Sequence, residues 1–238
     1  MIQQIRSSAK RPVLLLDAGD TLTGVSLANS TEGKVIVEAM NAMHYDAMGL
    51  GTLDLKLGLQ VLLERAVEAT FPFLSCNLVD QQGEPLFSPY TVVERDGARF
   101  GIIGVSARDV LILAPDPIPA SVLDPLTSVK QVLPEVRAQS DVVILLSHLG
   151  VEEDKALAKS LQGVAAIVGG KSLERTAPPV WVAGVALVQA GYNGEWLGRL
   201  DIGFDAQGKM VEAVNEIIAL GPELADDPRL VAIVDSYR

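Results

Sequence analysis

Three apolar segments of the chain, each typical of a buried strand, end in side chains that can do chemistry. The segment "LLLDAGDTLTG" carries Asp17 and Asp20, "VILLSHLG" carries His148, and "AAIVGGKSLE" carries Lys171 and Ser172. In α/β proteins, sites form in the crevice beyond the carboxyl ends of the strands. A carboxylate and an imidazole at two such ends suit a divalent ion such as Mn, Zn or Fe. Asp20 and His148 are therefore the candidate metal ligands.

Each of these residues also has a purely structural interpretation. Asp20 precedes a threonine and can cap a turn, and His148 can be a hydrogen-bonded histidine of the core. The segment "GLGTLDLKLG", residues 49–58, has the position of an active-site loop, yet it holds one acid, one base and no histidine. The residues alone leave both interpretations open.

The segments that must position these residues alternate between strand and helix patterns. Apolar residues at helical spacing predict helices in "EGKVIVEAMNAMHYD" and "LKLGLQVLLERAVEA", whereas "DAMGLG" and "FPFLSCNLV" predict strands. This alternation indicates βαβ units and a parallel sheet.

The middle and the end of the chain have other patterns. The segment "YTVVERDGARFGIIGVS" predicts a hairpin around Asp-Gly, and the proline-rich "LAPDPIPASVLDP" predicts a loop. A helix is predicted in "LTSVKQVLPEVRAQ", with Pro134 expected to kink or restart it. Antiparallel strands follow, and Asp227 is expected to cap a last helix that starts at Pro228. Without a visible repeat or linker, residues 1–238 are predicted to form a single domain.

Composition excludes several classes of function. The net charge of −11 argues against nucleic acid, whose phosphates need a basic surface. No segment is long and apolar enough to span a membrane. Cys76, the single cysteine, cannot form a disulfide within the chain and is expected to be a small buried hydrophobic residue. The segment "MIQQIRSSAKRP" lacks the apolar core of a signal peptide, so the default expectation is the cytoplasm.

The order of these segments, from about Val13 to Tyr237, resembles the calcineurin-like metallophosphoesterase domain of the 5′-nucleotidase and UDP-sugar hydrolase family. The resemblance implies an α/β fold, a four-layer α/β/β/α sandwich with mixed sheets. It also implies two divalent metals that lie between the sheets and hold the hydroxide that attacks phosphorus. Members of that family are often exported.

The resemblance matches two of the family's metal-binding positions. Gly19 and Asp20 match its GD motif, so Asp20 corresponds to the carboxylate that bridges the metals. The segment "SHLG" matches another motif, and His148 then corresponds to a ligand of one metal.

Four further positions depart from the family's pattern. The GNHE motif is represented by residues 51–54, so Thr52 stands at the asparagine ligand and Leu53 at the catalytic histidine. Lys171 and Leu173 stand at the two histidine ligands of the GHxH motif. No intact catalytic residue is therefore expected, and Lys171 would repel a metal.

Other features of the chain agree with a reduced site. His44, which the helix pattern places at a helix end on the surface, and His148 are the only histidines. The family's first strand, which carries a DxH motif, has no counterpart, and neither does its C-terminal nucleotide-binding domain. A missing strand would expose a sheet edge, which self-association or a partner strand could cover.

Three hypotheses about function follow. The first is a degenerate metallophosphoesterase-like domain with weak or absent hydrolysis, in which Lys171 holds a small phosphorylated molecule or pairs with Asp20. The second is a working hydrolase with one metal on Asp20 and His148, assisted by Asp17 or Asp54. The third is a structural or interaction module. No cofactor is firmly predicted beyond a divalent metal, if any.

Overall fold

The computed structural model of the protein describes residues 1–115, 118–205 and 210–238. A 3₁₀-helix spans Asp54–Leu57. The α-helices within the described ranges are α1 Ile2–Ser8, α2 Ser26–Ser30, α3 Lys34–Met43, α4 Leu59–Glu68, α5 Pro125–Gln139, α6 Val151–Ser160 and α7 Pro228–Asp235. None of these helices is long and apolar enough to cross a membrane.

The strands fall into two principal sheets and two separate pairs. In chain order they are β1 Leu16–Asp17, β2 Ala47–Gly49, β3 Phe73–Leu74, β4 Leu78–Asp80, β5 Tyr90–Arg95, β6 Ala98–Val105, β7 Ala120–Val122, β8 Val142–Ser147, β9 Ala166–Gly169, β10 Val180–Val182, β11 Val185–Val188, β12 Trp196–Phe204 and β13 Met210–Ala219. One sheet has the order β1-β2-β3 and is parallel. The other has the order β10-β11-β9-β8-β6-β5, with antiparallel outer strands on a parallel centre.

Three apolar clusters hold these layers together. Helices α3 and α4 pack Val37, Met40 and Leu62 against Met48 and other residues of the three-stranded sheet. The opposite side of the molecule has a second cluster, in which α5 and α6 cover the six-stranded sheet. The third cluster lies between the two sheets and consists of Ala47, Leu74, Ile102 and Leu146. The fold is therefore the α/β/β/α sandwich that the family resemblance implies, with one parallel sheet and one mixed sheet.

The two sheets approach so closely that one position requires glycine. A Cβ on Gly104 of β6 would lie 2.3 Å from the carbonyl oxygen of Leu74 on β3, too close for any side chain. The backbone contact of β3 with β6 therefore sets the distance between the sheets, and with it the width of the crevice at their carboxyl ends.

Several predictions from the sequence are confirmed. The Asp-Gly hairpin forms between β5 and β6, and Asp227 caps α7 by accepting the backbone N–H of Arg229. His44 ends α3 and is exposed. Cys76 is buried, and its burial raises the pKa of the thiol to about 12.

Three local predictions are wrong in whole or in part. Helix α5 does not restart at Pro134, because Val129, Leu133 and Val136 fix both halves in the same apolar cluster. The segment "FPFLSCNLV" forms two short strands, β3 and β4, in different sheets. The helix predicted over "LKLGLQVLLERAVEA" begins only at Leu59, because Gly58, at a φ of 84°, separates it from the 3₁₀-helix.

The proline-rich segment 113–125, predicted to be a loop, contains strand β7, which pairs with β4, so the loop prediction is wrong there. Two predicted connections extend beyond the described residues, at residues 116–117 of that segment and at residues 206–209 between β12 and β13. β1, which leads to Asp20, pairs on one side only among the described strands.

Candidate functional site

Four connections meet at the carboxyl ends of the parallel strands. Residues 18–22 follow β1 and residues 50–54 follow β2, both from the three-stranded sheet. His148 follows β8, and residues 170–173 follow β9, both from the six-stranded sheet. The crevice between the sheets therefore brings Asp20 and His148 together, as their positions in the sequence predict.

The carboxylate of Asp54 joins the two connections of the three-stranded sheet. Its Oδ2 accepts the backbone N–H groups of Asp20, at 2.8 Å, and Gly51, at 2.9 Å. Its Oδ1 accepts those of Thr21, at 2.9 Å, and Leu22, at 3.0 Å. A carboxylate has about four lone-pair positions, and all are used here. Asp54 thus has no lone pair left for the auxiliary role at a metal that the sequence suggests.

Burial opposes the charge on this carboxylate. Asp54 is fully buried, and its removal from water raises the pKa to about 6. The backbone N–H donors favour the ionised form and oppose this rise. At neutral pH Asp54 is consequently an ionised acceptor whose charge is neutralised by peptide dipoles.

The bonds to Asp54 fix the direction of Asp20. The backbone of Asp20 has a φ of 64°, a left-handed conformation that a residue other than glycine rarely adopts. Its Oδ1 accepts the backbone N–H of Leu53 at 2.6 Å. Only glycine fits at position 51, because a Cβ there would lie 2.2 Å from the same oxygen. The side chain of Leu53 takes no part in holding Asp20.

His148 connects the two sheets across the crevice. Its ring is buried, and Nδ1 lies 2.8 Å from the carbonyl oxygen of Ala18, which can only accept, so Nδ1 carries the proton. Nε2 lies 3.2 Å from Oδ2 of Asp20, within ion-pair distance but outside hydrogen-bond geometry. Burial lowers the pKa of the imidazole, but the Asp20 carboxylate and the Ala18 carbonyl outweigh it, so the net shift is upward.

Asp17 shapes the start of the same connection. Its Oδ1 accepts the backbone N–H of Gly19 at 2.8 Å and the hydroxyl of Thr21 at 2.6 Å. Burial raises the pKa of Asp17 despite these two donors. The side chain thus forms an Asx-type turn that leads from β1 towards Asp20.

Lys171 does not pair with Asp20, which corrects one of the alternatives drawn from the sequence. Its ammonium instead forms an ion pair with Asp109, and it holds the pKa of that carboxyl below its usual value. Asp20 is already engaged by Leu53 and His148, so the Asp109 carboxylate is the acceptor left for Lys171. The role of Asp109 was missed, although its place just after β6 at the same edge of the sheet was a usable signal.

The other positions that depart from the family's pattern differ in backbone conformation and exposure. Lys171 and Leu173 both have left-handed backbone conformations, with φ of 66° and 58°. The Leu173 side chain is 59% exposed, whereas Thr52 is half-buried. Backbone strain of this kind is concentrated at functional sites.

A second buried carboxylate supports the strand that carries His148. Asp154, in the first turn of α6, accepts a hydrogen bond from the hydroxyl of Ser147, which in turn accepts the backbone N–H of Leu149 at 3.3 Å. His148 lies between Ser147 and Leu149 in the chain, so these hydrogen bonds hold its backbone on both sides. Burial raises the pKa of Asp154 to about 7, although the Ser147 hydroxyl opposes this rise.

Few side chains of the crevice are available as metal ligands. Asp20 supplies one carboxylate oxygen, and His148 supplies a buried nitrogen that lacks a hydrogen bond. Across residues 1–115, 118–205 and 210–238, no group of three or more His, Cys, Asp or Glu side chains could hold a metal ion. A catalytic metal usually needs three protein ligands.

Replacing Asp54 with asparagine tests the role of the carboxylate that accepts four backbone hydrogen bonds. In Asp54→Asn, an NH₂ group replaces one acceptor and faces buried N–H donors, so we expect the free energy of unfolding to fall by about 2–4 kcal/mol. Chemical denaturation measures this loss. The matched control is Asp80→Asn, because Asp80 accepts the N–H groups of Gln82 and Glu84 in an exposed turn. Equal losses in the two variants would contradict the role given to Asp54.

Replacing Asp154 tests the burial of the second carboxylate. Its raised pKa means that the folded protein binds a proton between about pH 4 and pH 7 that the unfolded chain has released. The free energy of unfolding should therefore fall as the pH rises through this window. In Asp154→Asn this pH dependence should vanish. The free energy of unfolding of the variant, measured by denaturation between pH 5 and 8, should therefore rise relative to that of the wild type as the pH rises. A constant difference across that range would show that Asp154 is ionised throughout.

Comparisons with known proteins agree with this geometry. The human 5′-nucleotidase is 31% identical over 262 residues, which cover 100% of this chain and 46% of that protein. The crystal structure of a 5′-nucleotidase precursor from Thermus thermophilus is 32% identical, with a TM-score of 0.90 over 99% of this chain and 51% of that one. The calcineurin-like phosphoesterase YfkN from Bacillus subtilis, at 22% identity and a TM-score of 0.84, has the same fold over 99% of this chain and 85% of its own.

No protein-family model matches the sequence. The chain spans about half the length of the curated relatives that it matches, and the matched part is their N-terminal domain. The homologues of this chain are therefore 5′-nucleotidases, which it matches over their N-terminal domain, and its structural neighbours include calcineurin-like phosphoesterases.

Proposed function

We propose that this chain is a 5′-nucleotidase-related domain with a degenerate metal site, which hydrolyses phosphate esters weakly or not at all and binds a phosphorylated ligand. The direct approach of His148 Nε2 to Asp20 Oδ2, at 3.2 Å, carries this proposal. In the absence of a metal, the two surviving family ligands can neutralise each other as an ion pair.

The chemistry of the other positions supports weak hydrolysis. Departure of an alkoxide requires a proton, and Leu53, which stands at the family's catalytic histidine, has none to give. Its backbone N–H is already donated to Asp20. The ammonium of Lys171 adds a positive charge in the region where the family places a metal, and this charge repels a divalent ion.

The same ammonium supports binding of phosphate. The side chains of Lys171 and Asp109 are 33% and 49% exposed, so water and small anions reach their ion pair. Exposed ion pairs contribute only about 0–1 kcal/mol. A phosphate group, with more charge and more acceptors than one carboxylate, can therefore displace Asp109 from Lys171.

A second candidate function is hydrolysis with a single metal. The observation that favours it is the orientation of His148, whose Nδ1–H is held by a backbone carbonyl while Nε2 has no hydrogen bond. Histidines that bind metals are held in this way. For that function the substrates would be nucleotides, as the name of the human relative implies.

One set of measurements separates the two candidates. Metal content of the purified protein is measured first, and phosphate release from AMP and from p-nitrophenyl phosphate is then followed with added Mn²⁺. We expect no stoichiometric metal and no turnover above that of Asp20→Ala and His148→Ala. Robust turnover that both variants abolish would overturn the proposal and establish the second candidate.

Binding of inorganic phosphate completes the test. We expect NMR signals of residues near Lys171 to shift in wild-type protein and not in Lys171→Ala. Lys130→Ala, which removes a charge from α5, is the matched control and should behave as wild type. Equal binding by Lys171→Ala would exclude this residue as the phosphate ligand.

A further inference from the structure

A basic pocket lies far from the crevice, at the amino ends of the parallel strands. Its volume is about 400 Å³, and the charged residues that line it are Arg6, Lys10, Arg11, Arg95 and Asp96. Arg11 comes before β1, and the Arg95–Asp96 turn comes directly before β6. Asp20 and His148 follow the carboxyl ends of β1 and β8, so the two sites lie at opposite edges of the sheets.

Backbone carbonyls hold the first of these cations in place. Two guanidinium nitrogens of Arg6 donate to the carbonyl oxygens of Met43 and His44, each at 2.7 Å. These carbonyls end α3, where the helix dipole favours a positive charge. The contact fixes Arg6 without neutralising it by a carboxylate, and its other N–H groups remain available to a ligand.

A buried carboxylate holds the second cation. Arg95 pairs with Asp46, whose other oxygen accepts the backbone N–H of Leu15 at 2.7 Å. Asp46 lies two residues after His44, so the anchors of Arg6 and Arg95 are adjacent along the chain. The two guanidinium groups are thereby brought to one pocket from separate elements.

The other two cations are exposed and weakly engaged. Arg11 donates to the carbonyl oxygen of Ile202 at 3.4 Å, and Lys10 has no ion pair within the described ranges. The pocket therefore has an excess of positive charge: four cationic side chains against two carboxylates, Asp46 and Asp96. The protein as a whole has a net charge of −11. Such a local excess of positive charge attracts anions, and arginine forks suit oxyanions in particular.

We propose that this pocket binds a small multivalent oxyanion of the phosphate type, whether a free inorganic ion or the phosphates of a nucleotide. Binding weakens as salt is added, because the exposed Lys10 and Arg11 supply much of the attraction. This site is independent of the function proposed for the crevice.

NMR titration of the full chain at low salt tests the site. Inorganic pyrophosphate, ADP and adenosine serve as probes, so that phosphate and nucleoside are compared separately. We expect pyrophosphate or ADP to shift the amide signals of residues 6–11, 13 and 94–97, and adenosine to shift none. A preference for ADP would identify a nucleotide, and a preference for pyrophosphate a free ion; both support the proposal.

Variants provide the control. Lys10→Ala with Arg11→Ala should weaken pyrophosphate binding by about tenfold or more, since two nearby charges are lost. Lys34→Ala with Lys159→Ala removes the same charge from exposed positions elsewhere and should leave affinity unchanged. Lys10→Glu alone, at an exposed position, should also weaken binding if the double variant does not fold. Absence of shifts in wild type, shifts confined to the crevice, or equal affinity of the two double variants would overturn the proposal.

Discussion

The arrangement of the crevice depends on one buried carboxylate that accepts four backbone N–H groups. Asp54 binds both connections of the three-stranded sheet and uses every lone pair to do so. Because its partners are backbone amides, the Asp54 carboxylate sets the path of the chain without using the side chains of the loops, apart from the glycine that position 51 requires. The left-handed backbone of Asp20 and the close approach of Gly51 follow from this path.

The supporting structure of the crevice does not depend on the side chains at four positions that line its loops. The three apolar clusters and the Asp54 carboxylate hold the sheets and loops, and none of them needs the side chains of Thr52, Leu53, Lys171 or Leu173. The crevice then contains the ion pair of Lys171 with Asp109 and the close approach of His148 Nε2 to the Asp20 carboxylate.

The sequence predicts those parts of the structure that rest on local patterns. Helical spacing, alternating strands and helices, the Asp-Gly turn and the strand ends that carry Asp20 and His148 are signals of this kind. The position of Pro134 inside a continuous helix does not follow from a local pattern, because the packing of α5 decides it. The separation of β3 from β4 does not follow from a local pattern either. Ser75 and Asn77, which lie between these strands, both bond to Ser106, about thirty residues away.

The sequence names Asp54 as a possible auxiliary residue at a metal, but it does not reveal the bonds of Asp54, because backbone amides of any residue type can make them. The ion pair of Asp109 with Lys171 is also missed, because it joins residues 62 positions apart.

Anomalous diffraction from crystals grown with Mn²⁺ tests the central claim most directly. We expect at most one cation, between Asp20 and His148; two well-occupied ions bridged by Asp20 would contradict it.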